Sequence, residues 1–297
     1  MRPDGKLGVA LSGGPDSLAL LLLAHAVLPG RVEAATVDHG LRPESVDEAM
    51  AAGAICAQLG VPHAVLRVTV AEGNVQAAAR TARYAALAQW MADRALAALA
   101  TAHHADDQAE TLLMRLNRGS GVSGLAGVRA FARVPGSDLP LLRPLLGWRR
   151  AELAAIVTAS GFAAADDPSN SDPRFDRARL RTALRDADWI DVAAVAESAA
   201  HLADADAALN WAATREWQER VSPVPMGLCY RPQAPRAIAL KVIARMVEEL
   251  DGTPPRGSAV ARLFASLVSG QPASIGDLVA RSGPDGWTFT RAPARRS

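Results

Sequence analysis

The sequence predicts an α/β chain: a parallel five-stranded sheet with helices on both faces, followed by a smaller, mainly helical C-terminal domain. Three observations predict it. Short apolar runs alternate with segments of helical periodicity through the first two-thirds of the chain, as βαβ units of a parallel sheet do. Polar clusters at 12–17, 38–42 and 101–110 follow the apolar runs, and ligands of such sheets sit beyond the C-terminal ends of strands. After Trp189 the alternation stops and helical periodicity takes over.

Element by element, Leu7 to Leu11 is a short apolar run, followed by a Gly-rich turn and a Leu-rich helix reaching Val27. Residues 31–38 read as a strand ending on an acid, and 44–59 as a helix stopped by Gly60, a natural C-cap. Residues 61–70 alternate like a strand, 75–94 like a helix, and 95–102 form another buried strand. The stretch 119–144 is rich in Gly, Pro and Arg and reads as a long loop with short structured pieces; loops of that length are usually functional or disordered. An amphipathic helix at 149–160 closes on Gly161, and 166–185 is polar and arginine-dense. A long Ala-rich helix is expected over 191–221, then helices near 235–250 and 258–269, then a strand-like tail ending in Arg291 to Arg296. Trp211 and Trp217 on the long helix are expected in the core. The domains are placed at 1–187 and 188–297.

Composition narrows the classes. At 297 residues, with 49% apolar and 21% charged residues, the chain suits two ordinary globular domains. Cys56 and Cys229 lie far apart without a CxxC neighbour, which supports neither a disulfide framework nor a zinc site and fits a reducing compartment. Ser12, Asp16 and Ser17 interrupt the first apolar run, unlike a signal peptide. The Leu18 to Val27 stretch falls well short of the roughly 20 residues needed to span a bilayer. A soluble cytoplasmic protein with no membrane association is expected. A net charge of +1 gives no sign of nucleic acid. Only Lys6 and Lys241 are lysines, an arginine bias that a GC-rich genome would also give.

Ser12-Gly13-Gly14-Pro15-Asp16-Ser17 lies between a strand and a helix. Its glycines let backbone N–H groups approach an anion at the positive end of the following helix. The hydroxyls of Ser12 and Ser17 can add donors. Asp16 would repel phosphate, so it makes sense chiefly as a ligand of a magnesium ion carried by a nucleotide. A Walker A loop needs GxxxxGK[ST], and no lysine is present here. The segment is the SGGxDS signature, and in this context it resembles the N-type ATP pyrophosphatases of the PP-loop superfamily. That resemblance implies an adenine nucleotide alpha hydrolase-like fold, ATP and Mg2+ as cofactors, and cleavage of ATP between its α and β phosphates with adenylation of a carbonyl oxygen. Ser12, Gly13, Gly14, Pro15, Asp16, Ser17 and Val37 would bind ATP.

Further segments are similar to the tRNA(Ile)-lysidine synthetase family: Val37-Asp38-His39-Gly40-Leu41-Arg42, Arg80 to Tyr84, Thr101 to Gly119 with His103, His104, Asp106, Asp107 and Glu110, and Asp167-Pro168-Ser169-Asn170. The likeness covers the N-terminal two-thirds; the rest fits loosely, as a compact helical tRNA-binding or support domain. It implies ligation of free L-lysine to C2 of the wobble cytidine in the CAU anticodon of tRNA(Ile), through an adenylated cytidine. On a helix His103 and Asp107 would be i, i+4, with Glu110 on the same face. Two acids could hold an ammonium group and Arg83 could clamp a carboxylate, and the family's equivalents of Arg83, Asp107 and Glu110 hold lysine. Asp38, Asp16 and His103 are the catalytic candidates, Asp38 assisting the incoming amine. The same His and acidic residues could instead chelate a metal or simply open a solvated helix. Arg115, Arg118, Arg174, Arg177, Arg179 and Arg181 would contact tRNA phosphates; a homodimer is an open expectation. Rival readings are a 2-thiocytidine-type or other PP-loop adenylating enzyme and a non-catalytic ATP-binding module. Missing CxxC motifs argue against the thiolating type, and the second polar cluster argues against the module.

Overall fold

A computed structural model of the chain describes residues 5–40, 44–69, 75–165 and 176–292. Its elements in chain order are β1 (Leu7–Ala10), α1 (Pro15–Val27), β2 (Val32–Asp38), α2 (Glu44–Gln58), β3 (His63–Arg67), α3 (Val75–Asp93), β4 (Ala98–Ala100), α4 (Ala105–Leu116), α5 (Val122–Leu125), β5 (Phe131–Arg133) and β6 (Pro140–Leu142). Then follow α6 (Arg150–Ser160), α7 (Asp176–Asp186), α8 (Val192–Arg220), β7 (Val221–Val224), β8 (Gly227–Tyr230), α9 (Arg236–Asp251), α10 (Gly257–Val268), β9 (Ala273–Ile275), β10 (Leu278–Gly283) and β11 (Gly286–Arg291). Two compact units result. One runs to Arg115 and again from Gly127 to Ala200; the other comprises Leu116–Ala126 and the residues from His201 onward.

In the first unit the strand order is β3-β2-β1-β4-β6-β5. Five strands are parallel, as expected, and β5 pairs antiparallel to β6 at the edge. The alternating faces of β1 explain the layers. Leu7 and Val9 join Leu18 and Leu21 of α1, Ala52 and Cys56 of α2, and Leu153 and Val157 of α6 in one core. Gly8 faces the other way, where a Cβ would come within 2.8 Å of the Trp90 ring. That second core is built from Tyr84, Leu87, Trp90 and Met91 of α3 with Leu99 and Leu141. Strands β5 and β6 fall inside the stretch read as a long loop. Each has three residues, too few for a period of two to declare itself. Here Gln108 of α4 grips the chain: its Oε1 accepts from Val128 N–H at 2.7 Å and its Nε2 donates to Val128 C=O at 2.8 Å. Gly127 beside it has φ +64, and a Cβ there would lie 2.4 Å from Gln108 Oε1.

The second unit combines helices with a five-stranded antiparallel sheet ordered β7-β8-β11-β10-β9. Only a strand-like tail was legible in the sequence, because these strands are three to six residues long. Val242, Ile243, Met246 and Val247 of α9 and Leu263 and Leu267 of α10 pack on Tyr230, Leu278 and Phe289. Trp217 packs against this core as expected. Trp211 does not: it is 64% exposed, with the Arg215 guanidinium 5.2 Å from its ring centre. No helix among the described residues is long and apolar enough to cross a membrane.

Lys241 of α9 fastens Leu116–Ala126 into this unit. Its Nζ donates to Asp206 Oδ1 at 2.7 Å, Asn210 Oδ1 at 2.7 Å and Ser123 Oγ at 3.0 Å, and Ser123 Oγ also donates to Asp206. Asp206 is buried. Removing the cation leaves a buried carboxylate without its counter-charge, which costs about 3 kcal/mol. Lys241→Met should therefore lower the stability of the full chain by about that amount in urea unfolding, and Asp206→Asn in the Lys241→Met background should recover part of it.

Candidate active site

Strand order places the site. The connection from β1 leads to β2 on one side, and the chain later returns to put β4 on the other. The gap between the C-terminal ends of β1 and β4 is the topological switch point of the sheet, where ligands bind in such folds. Ser12–Ser17 follows β1, and Thr101–Asp107 follows β4.

The first loop is braced as an anion cradle. Gly13 takes φ +86, a conformation that a side chain would strain. Gly14 is the extended N-cap of α1, with Pro15 at its first position. Ser12 N–H and Ser12 Oγ both donate to Ser17 Oγ at 3.1 Å, and Ser17 Oγ donates to Gly14 C=O at 3.0 Å. Ala165 N–H donates to Gly13 C=O at 2.9 Å. These bonds hold the turn without using the amides at the start of α1, which remain available to an anion.

Behind the loop lies His104, fully buried. Its Nε2 is 3.4 Å from Asp16 Oδ2 and 3.6 Å from Asp107 Oδ2, and its Nδ1 is 3.5 Å from Asp106 Oδ2. These are ion-pair distances, though not aligned as hydrogen bonds. Burial alone would drive the imidazole to its neutral form. The three carboxylates prevail and push its pKa up to about 9, so His104 is an imidazolium at neutral pH. Asp106 is correspondingly held far below the carboxylate range: its burial is outweighed by His104, by Arg150 N–H and by the Arg149 guanidinium. Asp16 is also lowered, with His104 and Arg150 overcoming its burial.

A cavity of about 480 Å³ opens in front of the loop. Ser12, Asp16 and Ser17 line one wall, Ala10, Leu11, Ala35 and Val37 an apolar one, and Arg83, His103 and Asp107 a third. Among the described residues no acid pairs with Arg83; the Tyr84 ring centre lies 5.9 Å from its guanidinium. His103 is hydrogen-bonded through Nδ1 to Thr101 Oγ1 at 3.0 Å. Burial, reinforced by the charges of Arg143, Arg80 and Arg177 and opposed by Asp107, pushes its pKa down to about 4. It is therefore neutral where His104 is charged. His39 also lines the cavity, its pKa lowered by burial and by Arg83.

Three expectations from the sequence are corrected by this geometry. Helix α4 begins at Ala105, so His103 precedes it and the i, i+4 pairing with Asp107 does not form; instead Asp107 Oδ2 accepts from His104 N–H at 3.1 Å. Glu110 does not share the cavity of Arg83 and Asp107. It is buried, receives Arg181 Nε at 2.8 Å and Nη2 at 3.3 Å, and belongs to the wall of a second cavity. Asp38 is absent from both linings. Its Oδ1 accepts from Gly40 N–H at 2.9 Å and Ser45 Oγ at 2.7 Å, which lowers its pKa and makes it a poor proton acceptor.

The arginines read as RNA contacts are dispersed in role. Arg177 lines the first cavity and donates to Thr111 Oγ1 at 3.2 Å. Arg181 is taken by Glu110, Arg115 donates to Gly127 C=O at 3.3 Å, and Arg179 is exposed and paired with Asp176. Arg118 is exposed. Arg174, Leu41, Arg42, Asp167 to Asn170 and the terminal Arg295 and Arg296 lie outside the described residues. Sequence reasoning missed the central place of His104, which adjoins His103 in the motif, and the whole contribution of Asp106, Arg149 and Arg150. The last two open an ordinary amphipathic helix, which carries no signal.

A phosphate cradle at the switch point of a parallel sheet, with a charged pocket facing it, defines a nucleotide-using α/β enzyme. The PP-loop domain family matches residues 2–187, more than half of the chain. The tRNA(Ile)-lysidine synthase of Novosphingobium aromaticivorans is 48% identical over 301 residues, covering 100% of this chain and 92% of that relative. The enzyme of the same name from Zymomonas mobilis is 45% identical over 299 residues, covering 99% and 90%. In fold alone, the chain is similar to a U34-tRNA thiolase from Methanococcus maripaludis solved with its iron–sulfur cluster, with TM-score 0.53, 16% identity, and coverage of 67% of this chain and 71% of that one. The chain belongs to the PP-loop family and, within it, to the tRNA(Ile)-lysidine synthases.

The charge on His104 makes stability depend on pH. Its folded pKa lies above the value of about 6.5 for a free histidine, so its contribution is complete below about pH 6.5 and is lost as pH rises toward 9. Unfolding midpoints should fall across that window by an amount worth roughly 3 kcal/mol. His104→Asn should be less stable at pH 6 and lack the slope; a wild-type midpoint flat from pH 6.5 to 9 contradicts the assignment.

Proposed function

We propose that this chain is an ATP-utilising ligase that converts the wobble cytidine of a CAU-anticodon tRNA(Ile) to lysidine, with free L-lysine as the second substrate. One observation carries the reading: a single cavity sets the phosphate loop against a carboxylate and a guanidinium that no described acid pairs. ATP would lie with its nucleoside on Ala10, Leu11 and Val37 and its phosphates on Ser12–Ser17. A free amino acid would place its carboxylate on Arg83 and its ammonium group on Asp107. Glu110 serves this site by fixing Arg181, and Asp38 serves it by holding the backbone after β2.

Asp16 suits a magnesium ion carried by ATP, because its Oδ1 is buried and has no hydrogen-bond partner among the described residues. Such an ion would supply positive charge to the β and γ phosphates. Neutral His103 adds no cation beside the amine. The enzyme would act in the cytoplasm, where its substrates meet, with Arg118 and Arg179 exposed to RNA phosphates; a homodimer is compatible with this reading. In the reaction, O2 of the cytidine takes the adenylyl group, diphosphate leaves, and the lysine amine then displaces AMP at C2.

Purified protein incubated with ATP, lysine and unmodified CAU-anticodon tRNA(Ile) should release pyrophosphate and incorporate labelled lysine, with omission of any component abolishing incorporation. Arg83→Ala should raise the KM for lysine at least about tenfold with little change for ATP, and Asp107→Ala should abolish incorporation. Pyrophosphate release that needs tRNA but ignores lysine would overturn the assignment of the nucleophile.

A further inference from the structure

A second cavity, of about 930 Å³, lies on the far side of Asp16, the residue it shares with the first. Ala10, Leu11, Ala35 and Val37, beside the strand ends from which the loop springs, give the first cavity an apolar seat for a nucleoside. The apolar residues of the second, such as Leu184 and Ile190, instead stand among arginines suited to phosphate. A triphosphate laid along the loop from the first cavity therefore runs toward Asp16 and the second. Four arginines line the second cavity: Arg149, Arg150, Arg181 and Arg185. Arg149 is committed to Asp106 and Arg181 to Glu110. Arg150 is not so committed. Among the described residues its guanidinium meets one acid, Asp16, at 3.8 Å, and its Nε is buried with no hydrogen-bond partner. Leaving such a donor unmade is costly, about 1–3 kcal/mol.

The backbone of Arg150 is nevertheless fixed. Its N–H donates to Asp106 Oδ2 at 2.8 Å, and Asp106 is held by the His104 imidazolium that also holds Asp16. A planar fork of N–H donors, anchored to the same network as the phosphate loop and short of acceptors, matches the oxygens of a phosphate chain. Of the other groups there, Asp188 is exposed and Asp191 caps α8, its Oδ1 accepting from Ala193 and Ala194 N–H.

We infer that Arg150 binds the β and γ phosphates of the nucleotide and stabilises the diphosphate as it leaves. The inference rests on the ATP-cleaving reading above. As the acceptor oxygen forms its bond to the α phosphorus, the bond from that phosphorus to the bridging oxygen breaks. The electron pair passes to the departing diphosphate, whose charge grows by one. The guanidinium meets that charge with hydrogen bonds and keeps its protons throughout.

Calorimetric titration of the full-length protein with inorganic pyrophosphate, and separately with AMP, tests this in the absence of turnover. Arg150→Ala should bind pyrophosphate at least about tenfold more weakly and AMP unchanged, with Arg150→Lys between them. In the tRNA reaction, kcat for pyrophosphate release should fall about a hundredfold with the KM for lysine unaltered. Wild-type protein that does not bind pyrophosphate, an Arg150→Ala protein that binds it normally, equal losses for AMP, or a loss of tRNA affinity in its place would each overturn the inference. Should Arg150→Ala fail to fold by circular dichroism, Arg150→Lys decides by the same comparison. Pyrophosphate binding that depends on Arg150, in a protein that never joins lysine to tRNA, would leave this inference standing and sink the substrate assignment.

Discussion

Three aspartates converge at the corner where the phosphate loop meets the start of α4, and a buried cation among them makes that convergence possible. Asp16, Asp106 and Asp107 all lie within 3.6 Å of a His104 ring nitrogen. Without its charge they would repel one another in a poorly solvated place. With it, α1 is tied to α4, and Asp106 reaches on to Arg149 and the first amide of α6. The two segments that form the switch point, from β1 and β4, are thereby held in register by electrostatics as well as by the sheet. Such a network is costly to break piecemeal, because removing one member strands the others.

That arrangement also sorts the neighbouring groups into working and supporting ones. Asp107 keeps one oxygen on the His104 amide and still lines the first cavity. Glu110, one turn further along α4, is consumed by Arg181. His103 and His104 are adjacent in sequence but differ in charge, the first neutral and bonded to Thr101 among arginines, the second cationic and enclosed by carboxylates. Environment, and not residue type, assigns their roles. Among the described residues Arg83, in front of the loop, meets no acid, and Arg150, behind it, meets only Asp16, at 3.8 Å. These are the two cations that the proposed reaction would use at its two ends.

Much of the fold was legible because apolar runs of β1 and β2 and the periodic α1, α2 and α3 are long enough to show their period. The Gly-Gly turn announced the loop because glycine has a specific use there, seen in φ +86 at Gly13. What stayed hidden is three-dimensional. The strands of the second sheet and β5 and β6 are too short to register, and Trp211 lies on a helix face that spacing alone could not orient. Helical arithmetic assumed a helix that already includes His103, whereas α4 starts at Ala105. His103 and Asp107 still line one cavity, and it is Glu110, drawn to Arg181, that faces another. Ion-pair partners distant in sequence, such as Glu110 with Arg181 or Asp106 with Arg149, leave no local trace at all.

The most direct test of this account is a titration of the imidazoles by long-range 1H–15N NMR, with His104→Asn used to assign the His104 resonance and His103 as the internal comparison. The structure requires His104 to remain protonated through neutral pH and to titrate near 9, while His103 stays neutral down to about 4. Two histidines titrating together near 6.5, the value of a free imidazole, would mean that no buried cation joins the phosphate loop to α4, and the organisation of the site described above would be wrong.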